Sequence, residues 1–341
     1  MKFNCGCKPL HDALAACAPA ITTRAALFEC GFISLTAMTD RVQVVATDGD
    51  FTISVAVEAA VQEAGHGLFE MEKLIGMLDC SDRAYMEARG EQYHIKTPLG
   101  KATIHSIEKF HSPIEDVPVA KLDITAEEIN ILLGATNNNG LPHEQGIHIA
   151  VHGDRAFLSV PRNVDRSVVI ACAAPDHPCG IAVNGSYLAK ALRIGKEMEF
   201  WITANNRIAV KTPTASANVP MLSSCYDVSQ QLLGVPYDIS FQVTDELKSF
   251  IGVANRFTEK DAVRLTANAG TAIIESVIGE EPYASTAFHV GYPGDLDEIF
   301  SGTMLLAACA AGANHMYIRR HESIKLTSEN VVHAFAQKKF R

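Results

Sequence analysis

Apolar and polar side chains alternate along residues 84–98, break at Arg89-Gly90-Glu91, and alternate again to Lys96-Thr97-Pro98. Successive strand residues point to opposite faces, so this pattern predicts a hairpin with one packed and one wet face. A second copy spans residues 199–213 and closes on Lys211-Thr212-Pro213; a third spans 315–327 and closes on Lys325-Leu326-Thr327. Upstream of each hairpin a short helix is predicted, over 70–78, 185–192 and 293–300, with Asn184 or Gly185 suited to cap the second. Earlier still come paired strands over 32–57, 147–173 and 262–277, with turns at Asp48-Gly49, Gly153-Asp154 and Asn268-Ala269-Gly270. Each copy opens with a strand and a helix: 1–5 with 8–17, 122–124 with 127–136, and 239–243 with 245–255. Along the last of these helices Leu247, Phe250, Ile251 and Ala254 form one apolar stripe.

Strand, helix, meander, helix, meander thus recurs three times, from near residues 1, 121 and 237. The expected class is α+β: three tandem copies of one domain, two helices packed on antiparallel sheets, divided as 1–118, 119–235 and 236–341. Three unrelated α+β domains would not carry matching hairpins in matching order.

A length of 341 residues agrees with two or three domains, and 48% hydrophobic with 20% charged residues is ordinary for a globular chain. No stretch reaches the roughly 20 apolar residues that span a bilayer. Residues 1–5 read as a strand rather than the start of a signal peptide, so a cytoplasmic location is expected. The nine cysteines form no evenly spaced framework and no zinc-type spacing with histidine, which makes buried thiols the expectation. A net charge of −10 excludes a generally basic surface. It leaves room for a few cations that all face one cavity.

Motifs of catalysis are missing: no phosphate-binding loop, Gly-x-Ser-x-Gly elbow, His-Glu-x-x-His or dinucleotide fingerprint occurs. Asp48 and Asp50 have the chemistry of a carboxylate pair, but Asp-Gly between alternating strands reads more simply as a tight turn. His105 and His111 are the nearest approach to a histidine cluster, and surface positions explain them. Neither an enzyme, a metal nor a cofactor is expected.

Ala46-Thr47-Asp48-Gly49-Asp50, the run from Gly67 to Ile75, residues 100–106 and Phe110-His111-Ser112-Pro113 resemble the first domain of the bacterial DNA polymerase III beta subunit, the sliding clamp. Met1-Lys2-Phe3 and Arg24 fit it too, and the likeness covers the whole chain in domain order and length. The resemblance implies a head-to-tail homodimer, a six-domain ring around double-stranded DNA, and a processivity factor that tethers the replicative polymerase. It also implies docking of polymerase and clamp loader through a peptide groove between the second and third domains.

A sliding contact must be blind to sequence and weak, so it needs few cations, each aimed at phosphate. Arg24 and Lys73 stand where the family presents basic residues to the hole. Lys190, Arg193 and Lys196 follow one another in the second repeat, and Lys248 and Arg256 lie eight apart in the third. The predicted helix 127–136 has no Lys or Arg, and 293–300 carries Asp295, Asp297 and Glu298. Two of six lining helices would then be acidic or neutral, so either they sit away from DNA or the ring holds DNA loosely. The family's groove-forming turn and chain end read here as residues 161–166 and 337–341, with charge in place of most apolar walls. Pro161, Val164, Tyr226, Phe335 and Phe340 remain to line a groove. A second reading stays open: a clamp-fold scaffold with an altered partner pocket and weak or lost DNA threading.

Overall fold

The computed structural model describes residues 1–22, 28–78, 82–89, 92–106, 116–161, 167–175, 180–222, 225–229, 234, 236–258, 261–278, 281–289 and 294–336. The first repeat runs β1 (Lys2–Gly6), α1 (Cys7–Cys17), β2 (Ile33–Ala37), β3 (Arg41–Thr47), β4 (Thr52–Glu63), β5 (Gly65–Phe69), α2 (Met71–Leu78), β6 (Arg83–Arg89), β7 (Gln92–Thr97) and β8 (Gly100–His105). The second runs β9 (Pro118–Leu122), α3 (Ala126–Leu133), β10 (Gly146–His152), β11 (Arg155–Val160), β12 (Ser167–Ala173), β13 (Gly180–Asn184), α4 (Gly185–Ala191), β14 (Glu199–Thr203), β15 (Ile208–Lys211) and β16 (Ala215–Val219). The third runs β17 (Ile239–Gln242), α5 (Asp245–Ala254), β18 (Ala262–Asn268), β19 (Thr271–Ile278), β20 (Glu281–His289), β21 (Leu296–Ser301), α6 (Gly302–Ala310), β22 (His315–Arg319), β23 (Ser323–Thr327) and β24 (Val331–Ala336). The element order is the same three times.

Local chemistry accounts for the elements. Helix α1 buries Cys7, Leu10, Ala13, Leu14 and Cys17, a stripe at helical spacing that packs on β3 and β4. Helix α5 starts where the Thr244 hydroxyl accepts the N–H of Leu247 at 3.3 Å, and Asp245 and Glu246 favour the positive end of its dipole. At the β3–β4 turn the Asp48 carboxylate accepts the N–H groups of Asp50 and Phe51 at 3.0 and 2.8 Å, while Gly49 takes φ +103°. That left-handed position suits glycine, so the Asp-Gly pair is a turn and not a reacting pair.

Two of the hairpins share one register detail. Tyr85 and Tyr317 stand opposite Lys96 and Lys325 across their hairpins, whereas Trp201 faces Ala209 across its hairpin and Lys121 on β9. The Lys325 ammonium lies 4.6 Å from the Tyr317 ring and 4.3 Å from that of Tyr237, and the Lys121 ammonium lies 6.0 Å from Trp201. Cation–aromatic pairs across strands add a few tenths to about 1 kcal/mol each.

By internal contacts the chain divides into two compact units, residues 1–126, 175–177 and 183–222, and residues 127–174, 178–182 and 223–341. In the first, a sheet of order β5-β2-β3-β4-β16-β15-β14-β9 passes from the first repeat into the second, and the far half of β4 also carries β1-β6-β7-β8. In the second, the order β13-β10-β11-β12-β24-β23-β22-β17 passes from the second repeat into the third, beside a separate sheet β20-β19-β18-β21. The core of the third repeat gathers Leu247, Ile251, Leu265, Ile274, Phe300, Leu305 and Phe335.

One expected helix is absent. Residues 296–301 are strand β21, and the helix follows it as α6. Leu296, Glu298 and Phe300 are buried while Asp297 is exposed, the period of a strand paired with β18. Ser301 then caps α6, its hydroxyl accepting the N–H of Met304 at 3.3 Å.

Candidate nucleic-acid interface and partner groove

In the first repeat, Lys73 is exposed on α2, with its ammonium 2.8 Å from Glu70. Arg24 lies outside the described residues. Helix α4 is set by Asn184, whose side-chain oxygen accepts the N–H groups of Ser186 and Tyr187. One turn on, the Lys190 ammonium sits 5.0 Å from the Tyr187 ring and 5.9 Å from Phe51, which stacks on Tyr187 at 5.0 Å. Arg193 follows the helix, its N–H donating to the Lys190 carbonyl at 3.1 Å, and Lys196 lies in the next bend. Arg193 and Lys196 are both exposed. The structure thus gathers these three cations at the C-terminal end of α4, where the helix dipole favours positive charge.

In the third repeat, the Lys248 ammonium stands 3.4 Å from Asp245 within the first turn of α5. Arg256 is exposed in the 3-10 turn Asn255–Phe257 that continues the helix. Helix α3 carries Glu127 and Glu128 and no Lys or Arg. The acidic sixth helix is a misreading, because its carboxylates belong to the β21 segment. Asp297 accepts two hydrogen bonds from Arg264 at 2.7 and 2.6 Å, Asp295 accepts from Asn268 at 2.8 Å, and buried Glu298 accepts the N–H of His321 at 2.9 Å. The Arg264 guanidinium holds the Asp297 carboxyl below the usual range. Helix α6 itself, Gly302–Ala310, bears no charged side chain.

Of the five expected groove residues, Val164 and Phe340 lie outside the described residues. Pro161 is buried just past β11. Phe335 is 3% exposed and meets Phe300 edge-on in the core, so its ring belongs to the interior of the third repeat rather than to a groove wall. Tyr226 is 50% exposed, and its N–H donates to Nδ1 of His148 at 2.7 Å. That bond makes Nδ1 the acceptor, so Nε2 carries the proton and donates to the His143 carbonyl at 2.7 Å. Burial lowers the pKa of His148 and keeps it neutral. Beside it, His152 Nε2 meets Asp227 at 2.6 Å. Burial pushes the Asp227 carboxyl up, but hydrogen bonds from Ser229 and His152 outweigh it and the net shift is downward.

Cys5, Cys7, Cys17, Cys30 and Cys309 are buried; Cys80 and Cys179 lie outside the described residues. Burial pushes the Cys5 thiol up to about 12, which makes it a packing group and not a nucleophile. Among the described residues no three His, Cys, Asp or Glu side chains converge on a possible metal position. No described helix is long and apolar enough to cross a membrane.

Over its full length the chain superposes on solved DNA polymerase III beta subunits. A putative beta subunit from Eubacterium rectale matches with a TM-score of 0.82 at 13% identity, covering 100% of both chains. The Helicobacter pylori beta clamp bound to a DNA ligase peptide matches at 0.84 and 14% identity, covering 99% of this chain and 100% of the other. The beta subunit of Pseudomonas aeruginosa matches at 0.82 and 15% identity, with both chains covered completely. The chain has the beta-clamp fold. At such identity the likeness lies in the architecture: no family model matches this clamp-fold sequence, and no curated protein matches it either.

The beta-clamp fold explains which residues sequence reasoning missed. Asp116, Asn205 and Arg207 converge beside Asp50 in the first unit, with Arg207 donating to the Asp50 carbonyl at 2.9 Å. Asp116 and Asn205 are 89 residues apart, and only the strand pairing of β9 with β14 brings them together. No sequence spacing announces that contact.

Proposed function

We propose that this chain is a DNA polymerase processivity factor: three domains, at 1–118, 119–235 and 236–341, that pair head to tail with a second copy to close a sliding ring around duplex DNA. It performs no chemistry of its own and works in the cytoplasm. The observation that carries this reading is the rule by which repeats join. The last strand of one closing meander pairs with the third strand of the preceding repeat's meander, β16 with β4 and β24 with β12. That rule leaves two strands unused: β8 of the first repeat and β20 of the third, each at an open sheet edge. Pairing β8 of one copy with β20 of another satisfies both edges and both ladders, and an edge left open invites such pairing. Val253, Phe257 and Leu306 expose apolar surface on the helical side of the third repeat, a pattern that supports burial against another chain.

Arg24, Lys73, Lys190, Arg193, Lys196, Lys248 and Arg256 are proposed as the phosphate contacts, and Tyr226 with Pro161, Val164 and Phe340 as the region where polymerase or loader peptides dock. The beta clamp solved with a DNA ligase peptide supports peptide docking as a property of this fold.

The test is topological. Threaded onto linear duplex whose ends are then blocked, the protein should survive a high-salt wash and leave once an end is freed. Its solution mass should be twice 36.8 kDa. A second reading is favoured by α3 and α6, which carry no Lys or Arg: a clamp-fold scaffold with little hold on DNA. Salt alone stripping a dimer from end-blocked DNA would select that reading, and a monomer at micromolar concentration would overturn the ring.

A further inference from the structure

The first junction between repeats, where β4 meets β16, holds a cavity of about 540 Å³. One wall is polar. Asp116 has a side chain only 1% exposed, and it accepts a hydrogen bond from the Asn205 amide through one carboxylate oxygen. Among the described residues its other oxygen accepts none, and the Arg207 Nε stands 3.7 Å away, outside hydrogen-bonding distance. Arg207 cannot simply turn to fill it, because its Nη1 is committed to the Asp50 carbonyl. A buried carboxylate oxygen without a donor is costly to keep, and a ligand N–H would relieve that cost.

The apolar part of the lining lies beside Asn184, whose N–H donates to the Pro220 carbonyl at 3.3 Å. Met221 is 48% exposed beside Pro220 and is tied to the sheet by an isolated bridge to Val183. The Tyr187 ring completes it, held by Phe51 on its face and by a hydrogen bond to Asp48. Methionine is unbranched and polarisable, and so adapts to varied apolar side chains. The fixed charges on the polar wall are the carboxylates of Asp50 and Asp116 against the single guanidinium of Arg207, which leaves that wall net negative.

We propose that this cavity binds a short extended peptide segment of a partner protein that presents a lysine or arginine next to an apolar side chain. The cation donates to Asp116, and the apolar side chain packs on Met221, Pro220 and Tyr187. The site shares no lining residue with the region around Tyr226, and it does not depend on the chain encircling DNA.

The probes are three short fluorescein-labelled peptides, glycine throughout except for a central Lys-Leu, Glu-Leu or Lys-Ser pair, titrated into the full chain by fluorescence anisotropy. The Lys-Leu peptide should saturate, and either substitution should weaken it at least about tenfold. Met221→Asp changes an exposed side chain and should weaken Lys-Leu by a similar factor without altering the melting temperature. Asp116→Asn should do the same; if that variant fails to fold, Met221→Asp decides. Tyr226→Asp should leave the affinity unchanged. Failure of all three peptides to saturate would overturn the proposal, as would equal binding by Lys-Leu and Glu-Leu. Sensitivity to Tyr226→Asp without sensitivity to Met221→Asp would also overturn it, placing the peptide elsewhere.

Discussion

The two places where one repeat's sheet continues into the next use the same strands for the same purpose, yet their side chains differ in kind. At the first, β4 and β16 face each other through Thr52, Ser54, Ser216 and Asn218 alongside Ile53, Val55 and two alanines. At the second, β12 and β24 do so through Val168, Val169, Ile170, Val331 and Val332 alongside Ser167, Ala334 and His333. Both ladders are antiparallel, and four residue pairs define each. The lesson is that backbone hydrogen bonding specifies the junction and leaves side chains free to diverge. The polar junction has used that freedom to build a cavity around Asp116; the second has used it to bury Val168, Val169 and Ile170.

The difference predicts unequal fragility. Val169 is 1% exposed in the apolar junction, and Val169→Asp would bury an unpaired carboxylate there. We expect it to cost about 4 kcal/mol or more, read as a collapse of the urea midpoint. The milder exchange sharpens the comparison. Val169→Ser should cost about 2–3 kcal/mol through reduced methyl burial and an added buried hydroxyl. Ser54→Val in the polar junction loses the hydrogen bond that Ser54 accepts from Gln43 and gains apolar burial, so it should cost about 1 kcal/mol or less. Equal costs at the two sites would mean that side chains, not the backbone ladder, carry both junctions.

Much of this architecture was legible in the chain. The hairpins at 84–98, 199–213 and 315–327 were readable because alternation flanked polar turns, and left-handed Asn206 and His321 now mark two of those turns. Residues 293–300 were misread because Leu296 and Phe300 are four apart, which suits a helical stripe as well as it suits a strand. Buried Glu298 supplied the missing strand period, but a carboxylate does not advertise burial. Lys190 was readable as a surface cation, whereas its seat over Tyr187 and Phe51 was not, because Phe51 comes from the first repeat. The Asp116 cavity had no local signal at all.

A pH experiment reads a contact outside both junction ladders. The segment that follows β16 is tied to β10 through neutral His148, buried and accepting the N–H of Tyr226. Its folded-state pKa lies below the ordinary 6.5, so the unfolded chain binds the proton more readily. The stability that His148 contributes is therefore fully present above about pH 6.5 and is lost as pH falls towards the lowered value. Asp227, also lowered, acts in a different window, present above its ordinary 3.8 and lost below it. Urea midpoints at pH 8 and pH 5.5 should differ in the native chain and converge in His148→Phe. An unchanged difference in that variant would assign the effect to other groups.

The smallest effect distinguishes two helix caps, one on α4 and one on α5. Asn184 caps α4 with two N–H acceptances, at 2.9 and 3.2 Å, whereas Thr244 caps α5 with one at 3.3 Å. Asn184 borders the Asp116 cavity as well, so it works both as a helix cap and as a wall. Replacing a capping side chain by alanine costs about 0.5–2 kcal/mol, with the doubly bonded cap at the upper end. Asn184→Ala should therefore destabilise by about 1.5 kcal/mol and Thr244→Ala by about 0.5–1 kcal/mol, measured by denaturant midpoints at one pH. Because Lys190 lies in the last turn of α4 and Arg193 and Lys196 follow it, fraying from its first turn should loosen that cationic run, while Thr244→Ala leaves it alone. Salt dependence of DNA retention reads this directly: Asn184→Ala should flatten the slope of log retention against log salt, by about 0.9 for each phosphate that is no longer neutralised. An unchanged slope with a lowered midpoint would mean that Lys190 is held by the Tyr187 and Phe51 rings and not by the helix cap.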